Sequence, residues 1–217
     1  GKYTVKPKAD AVATITSGKA VAYYTELSAA VTNVKDGQTV TLLKDHSGSV
    51  ALSAISNYTL DLGGKTVSGP ITASAGTVSI KNGTVNCTSG NAIATSGSAS
   101  LTVNCNVNAS SGNALYGGGG TLTAPGGIYQ GGLGGNLSLT GGKYSNDPSN
   151  YLLDGCYAEK DGGWYSIKVG LNSSGYMEIW TANDLLAFAN QVTNQGDTDL
   201  NAILMNTITL SGNWTPI

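Results

Sequence analysis

The strongest constraint on this chain is a short pattern that it repeats. Leu122-Thr-Ala-Pro-Gly-Gly-Ile-Tyr129 is followed by Leu137-Ser-Leu-Thr-Gly-Gly-Lys-Tyr144. Val78-Ser-Ile-Lys-Asn-Gly-Thr-Val85 and Leu101-Thr-Val-Asn-Cys-Asn-Val107 have the same shape: a short alternating strand, a bend of small or turn-forming residues, then another β-type residue. The four starts lie 23, 21 and 15 residues apart (101 − 78, 122 − 101, 137 − 122). Thr59-Leu-Asp-Leu-Gly-Gly-Lys-Thr-Val67 is an earlier member, and Ser89-Gly-Asn-Ala92 returns as Ser111-Gly-Asn-Ala114 after 22 residues (111 − 89).

Such a segment cannot fold alone. Its two or three apolar side chains gain about 1.5–3 kcal/mol each on burial. Ordering the backbone of one coil costs about 1–2 kcal/mol per residue. Stacking the coils shares the buried face and pairs each strand with the coils above and below. Period-2 alternation and many glycines argue against helix in this region. The pattern predicts an all-β chain built as a parallel β-helix, with Asn91 and Asn113 at matching positions where their amides can stack as a ladder. A β-sandwich is the alternative, but it would space its strands about 8–12 residues apart on tight turns. The uneven, longer spacing favours coils.

Composition narrows the class further. Charged residues make up 11% of 217 residues, Gly contributes 31, and the net charge is −2. All 11 basic residues are lysines, with no basic cluster, so nucleic acid is not an expected partner. No run of about 18 apolar residues occurs, so no membrane insertion is expected. The regular recurrence of Val, Ile and Leu argues against disorder. Cys87, Cys105 and Cys156 form no even framework. They read as small buried hydrophobes, with a Cys87–Cys105 disulfide as the alternative.

Two segments read as helical caps, which a solenoid needs to protect its open ends. Residues 25–34 carry Leu27, Ala30, Val31 and Val34 on one helical face, with Thr25 as candidate N-cap and Gly37 as terminator, and a strand follows at 39–43. Residues 181–192 place Leu185, Phe188, Ala189 and Val192 on one face, with Thr181 and Asp184 as a capping box, Gly196 as terminator and a strand at 202–210. Tyr3-Thr-Val-Lys6 resembles Tyr165-Ser-Ile-Lys168 at an interval of 162 residues (165 − 3). The expected organisation is therefore the tail of a preceding module at 1–19, a β-helix module with its cap helix at 20–169, and the start of a second module at 170–217, which can alternatively seal the first. The chain, beginning at Gly1 without a signal peptide, reads as a piece of a longer tandem array.

The coils lack the parts for acid–base catalysis. Between Asp61 and Asp147 there is no Asp, Glu, His or Arg, whereas glycoside hydrolysis generally needs two facing carboxylates and a lyase needs a base, usually with a carboxylate-bound calcium. No catalytic residue, metal site or cofactor is expected. Asp61 should order the Gly63-Gly64 bend or point outward, Asp147-Pro148 marks a turn, and His46 reads as a solvated turn residue. Asp197 and Asp199 match no strong calcium pattern. Tyr116, Tyr129 and Tyr144 are the only aromatics of the coil stack and its candidate ligand-binding residues. Tyr129 and Tyr144 hold equivalent repeat positions one coil apart, so they either form a sugar platform or pack the coil itself. An ice-binding face would need Thr-x-Thr on successive coils, and Thr121-Leu-Thr123 supplies it once. Trp164, Trp180 and Trp214 are expected to pack at the junction.

Several of these stretches resemble modules of large secreted or wall-attached surface proteins of Gram-positive, often gut-dwelling, bacteria. Tyr24…Leu27…Ala30-Val31…Asp36-Gly37…Thr41-Leu-Leu-Lys-Asp45 and Thr59-Leu-Asp-Leu-Gly-Gly-Lys-Thr66 are similar to their cap helix and first coil. Gly141-Gly-Lys-Tyr-Ser-Asn-Asp-Pro148 with Tyr151, Asp154-Gly155 and Tyr165 resembles their closing segment; Leu185…Phe188-Ala-Asn-Gln-Val192 with Leu210-Ser-Gly-Asn-Trp-Thr-Pro-Ile217 resembles the opening of a neighbouring module. Cys156 departs from the aromatic or bulky residue expected after Asp-Gly. The resemblance implies a right-handed, pectate-lyase-like solenoid at the cell surface or outside the cell. It implies an adhesive or spacer role, with neighbouring modules of the same parent chain and a glycan or host surface as partners.

Overall fold

The computed structural model describes residues 8–153, 155–170, 176–195 and 200–210. Its body is a parallel β-solenoid of about 7 turns. Each coil lays strands on three sides.

Side one begins with β3 (Thr39–Leu42); side two with β4 (His46–Ser47); side three with β5 (Val50–Leu52). The next coil repeats them as β6 (Asn57–Asp61), β7 (Thr66–Ser68) and β8 (Ile71–Ala73). Beyond it the strands run round the corners. β9 (Thr77–Cys87) covers sides one and two, β10 (Ile93–Thr95) side three, and β11 (Ser100–Ala124) passes all three sides and returns to the first. β12 (Ile128–Leu139) and β13 (Lys143–Tyr144) finish the stack. All pairings between these coils are parallel, with Thr39 opposite Thr59, Thr59 opposite Ser79, and Thr102 opposite Ser79. The hairpin alternative to the coil reading is thereby excluded for the body.

Alternation fixes what faces inward, because neighbouring residues of a strand point to opposite faces. Val40, Leu60, Ile80 and Val103 share one column of side one and are each 0% exposed. Val50, Ile71, Ile93, Leu115 and Leu133 share a column of side three. Outside, the amide ladder forms as the repeat suggests: Asn113 Nδ2 donates to Asn91 Oδ1 at 2.8 Å, and Asn108 Nδ2 donates to Asn86 Oδ1 at 2.9 Å. Carboxylates tie coils together too. Asp36 accepts from the Asn57 N–H at 2.6 Å, and Asp45 accepts from the Thr66 N–H at 2.8 Å.

One inward column contains a polar exception. Leu52, Ala73, Thr95 and Gly117 are aligned on side three, and the Thr95 hydroxyl is buried without a hydrogen-bond partner. A buried unpaired hydroxyl costs about 1–3 kcal/mol. Thr95→Val keeps the shape and removes that cost, so it is expected to stabilise the chain by about 1–2 kcal/mol. A higher denaturant midpoint at unchanged slope checks this, and a lower midpoint contradicts it.

The ends are antiparallel. β1 (Ala13–Ser17) pairs with β3 and, through a tight hairpin, with β2 (Ala20–Tyr24). The hairpin spans the boundary expected between residues 19 and 20, and β1 covers the first coil. At the other end β15 (Trp164–Val169) pairs antiparallel with β13 and with β14 (Cys156–Asp161). A reversed strand satisfies the rung it covers without presenting another parallel edge, which is one way to stop a solenoid.

The first cap helix, α1, spans Leu27–Asn33. Glu26 rather than Thr25 occupies its N-cap, with no side-chain capping bond. Burial of Leu27, Ala30 and Val31 over the coil end holds this short helix in place. The second, α2 (Ala182–Gln195), has the expected capping box. The Thr181 N–H donates to Asp184 Oδ2 at 2.8 Å, and the Asp184 N–H donates to Thr181 Oγ1 at 3.3 Å. It connects β16 (Tyr176–Ile179) to β17 (Asn201–Leu204), which pair in parallel in a sheet of their own. β17 is shorter than the 202–210 strand expected, and it pairs with β16, not with the first stack, so it does not seal that stack. Tyr3–Lys6 of the long repeat, Gly196, Asp197, Asp199 and Trp214 lie outside the described residues.

Candidate functional site

Tyr129 and Tyr144 stack one coil apart, with ring centroids 4.9 Å apart and planes 23° apart. Both are 0% exposed. A sugar cannot reach them, so the platform reading fails for this pair and the packing reading holds. They continue the inward column of side two, where Val67, Val85 and Val107 precede them.

Their hydroxyls explain the Gly-Gly-x-Tyr motif. Tyr144 donates to the Gly141 carbonyl, three residues back, at 2.8 Å, and Tyr129 donates likewise to the Gly126 carbonyl and to Val103 O at 2.6 Å. Each ring thus reaches back under its own corner and satisfies the carbonyl there. The second glycine makes room. Gly127 has φ +115, and a Cβ on it would lie 2.3 Å from the Cys105 carbonyl and 2.9 Å from the Tyr129 hydroxyl.

A sequence signal for the inward direction existed. Ile128 pairs with Lys143, and Tyr129 with Tyr144. A lysine one coil above an isoleucine marks that column as outward, which turns both tyrosines in. Ile128 is accordingly 42% exposed.

Burial raises the acidities' thresholds throughout this interior. Desolvation pushes the Tyr58 phenol and the Cys105 thiol up to about 12 each. The Tyr129 and Tyr144 phenols are raised well above their ordinary range, again by desolvation first. Cys156 is pushed up to about 11, by desolvation and then by the nearby Asp184 carboxylate. The sign of the linkage follows. The unfolded chain sheds these protons from about pH 9 for thiols and 10 for phenols, whereas the folded chain keeps them. The stability they contribute is full below about pH 9 and declines as pH rises towards 12. An alkaline titration should show tyrosinate absorbance from these rings appearing together with loss of β-type circular dichroism. Smooth ionisation of every tyrosine near pH 10 with the fold intact contradicts it.

All three cysteines are free, Cys87 and Cys105 buried and Cys156 half-buried, so the small-hydrophobe reading holds over the disulfide. Asp61 does what its Gly63-Gly64 bend suggests. Its Oδ1 accepts from the Gly63 N–H at 2.9 Å and its Oδ2 from Asn82 Nδ2 at 3.1 Å. Asp147 Oδ1 accepts from the Ser149 hydroxyl at 2.5 Å and from the Ser149 N–H at 3.0 Å, and these bonds, the hydroxyl's first, lower its carboxyl below the ordinary value. His46 lies in β4, half-buried, rather than in a solvated turn. Trp180 is 50% exposed, with its indole N–H on Glu178 at 3.1 Å, so it is not the packed residue expected. Among the described residues no three His, Cys, Asp or Glu cluster as metal ligands would.

Tyr116 is the candidate that remains accessible. It sits on side three opposite Ala94 and Gly134, half-buried, beside an open groove of about 540 Å³. Thr72, Ser89, Asn91 and Ser96 contribute the polar lining. No lining residue carries a charge at neutral pH.

No known protein family, no curated protein and no solved structure matches the chain.

Proposed function

We propose that the chain is a non-catalytic, extracellular β-helical module of a bacterial surface protein, whose work is to extend, space or present neighbouring modules. The observation that carries this reading is a recurrence of structure. β17 lies 162 residues beyond β3 at both ends (201 − 39 and 204 − 42), and the last residues of α2 and α1 have the same interval (195 − 33). β16 stands where β1 stands, the interval between their last residues being 162 as well (179 − 17). Cap strand, cap helix and first rung thus recur in order, as they do when one unit is used in series. One difference supports variation on a common plan. In the first cap β2 occupies the positions that correspond to the opening turns of α2 and reverses the chain, so β1 meets β3 antiparallel, whereas β16 runs straight into α2 and meets β17 in parallel.

The outer surface suits the same role. Hydroxyl and amide columns run along it, and Asp36, Asp45 and Asp61 are engaged with backbone N–H groups in holding coils and bends. Small-angle scattering tests the reading. A rod-like pair-distance distribution, lengthening in step when a further unit is appended, is the expected result. A compact particle, or hydrolysis or elimination of polysaccharide by the chain itself, overturns it.

A further inference from the structure

We propose that the groove on side three around Tyr116 is a binding site for a neutral saccharide. The inference rests on the reading of the chain as an extracellular module and gives that module a ligand class.

The site begins with the register. Ala51, Thr72, Ala94, Tyr116 and Gly134 form the outward column of side three. One large ring therefore stands in a column of small residues. The backbone around it is bare as well. A Cβ on Gly118 would come within 2.8 Å of the Tyr116 ring, and one on Gly134 within 3.0 Å. The ring consequently rests against backbone, fixed in position without bulky neighbours. Ala94 and Thr72 continue a low floor away from it.

The groove's margin is polar and ordered. Asn91 lines it, and its Oδ1 is engaged by Asn113 Nδ2 at 2.8 Å. That bond orients the Asn91 amide. Ser89 and Ser96 add hydroxyls. A volume of about 540 Å³ falls within the range of small-molecule sites.

An aromatic ring, a shallow floor, amide and hydroxyl groups at the margin, and no charge select a ligand with one apolar face and several hydroxyls. Pyranose rings have that form: axial C–H groups give the face and equatorial hydroxyls the edge. A phosphorylated or sulfated ligand would find no cation here. A peptide adding as a strand would need a free sheet edge, whereas side three is paired coil to coil at this point.

Isothermal titration with cello-, xylo-, manno- and chitohexaose, with oligogalacturonate as the charged comparison, tests the proposal. At least one neutral hexasaccharide is expected to bind, and oligogalacturonate is not. Tyr116→Ala should weaken that binding about tenfold or more, because a stacked aromatic contact of this kind is the principal apolar contribution. Tyr116→Phe, which keeps the ring, should stay close to the parent. Thr72→Arg, at an exposed floor position, should obstruct the groove without disturbing the core, which keeps the test decisive if Tyr116→Ala fails to fold. No binding by any neutral probe, binding indifferent to both Tyr116→Ala and Thr72→Arg, or preference for oligogalacturonate would each overturn the proposal. A compact scattering profile with intact sugar binding would remove the array reading and leave the groove standing.

Discussion

Tyr129→Ala is expected to cost about 3–5 kcal/mol of folding stability, the range for truncating a large buried aromatic. The ring is fully buried, so its loss leaves a cavity lined by side chains that cannot follow it. The hydroxyl adds a second loss. Its one proton is shared between two carbonyls, that of Val103 in the interior and that of Gly126 at the half-buried corner. Tyr129→Phe separates the two contributions: it keeps the ring and should cost about 1–3 kcal/mol for the carbonyls left unpaired. Tyr144 is coupled to the same ring by stacking, so a double-mutant cycle between Tyr129→Ala and Tyr144→Ala should give about 0.5–1.5 kcal/mol of interaction energy. Urea unfolding of the four proteins checks these values. A loss below about 1 kcal/mol for Tyr129→Ala would mean that the ring is not inside the stack.

The same pair shows how far the sequence could be read. Repetition of Leu-x-x-x-Gly-Gly-x-Tyr implied stacked coils and the spacing of the two rings, because strand pairing imposes the interval whatever the rings do. Which way the rings point depends on parity across the corner. Ala124 faces in, three residues turn the corner, and only then does Tyr129 face in while Ile128 faces out. Hydrophobicity alone favours the opposite choice, and only the Ile128–Lys143 pairing corrects it. The caps were less legible for a similar reason. An antiparallel strand such as β1 has the same alternation as a parallel one, so nothing in Ala13-Thr-Ile-Thr-Ser17 says that it reverses to cover the first coil. The hydroxyl face was also under-read. Thr77, Ser79, Ser100, Thr102, Thr121 and Thr123 do line successive coils, with Ser in place of Thr at two of the six positions. Four of those hydroxyls bond in pairs across coils, Thr121 to Ser100 at 3.0 Å and Thr102 to Thr123 at 3.1 Å. They act as cross-coil ladders rather than as an array offered to ordered water.

Gly120→Ala is expected to be comparably damaging although it adds a single methyl group, with a loss of about 2–5 kcal/mol. Gly120 has φ +68, which penalises any L side chain, and an added Cβ would lie 1.9 Å from the Ala99 carbonyl oxygen. That oxygen belongs to the backbone of the neighbouring coil and accepts the Thr121 N–H at 2.9 Å. Relieving the clash therefore means breaking a bond between coils, not rotating a side chain. Gly64→Ala provides the comparison. Its φ of +74 carries the same conformational penalty, but a Cβ there meets nothing within 4 Å, so about 1–2 kcal/mol is expected. The difference between the two variants measures the close approach of coils separately from the backbone conformation. Solenoid coils exchange energy chiefly with their neighbours. Hydrogen exchange in Gly120→Ala should accordingly accelerate first in the strands around Ala99 and Thr121, while the amides of β3 and β6 keep their protection. Uniform acceleration along the whole stack would show instead that the coils unfold as one cooperative unit.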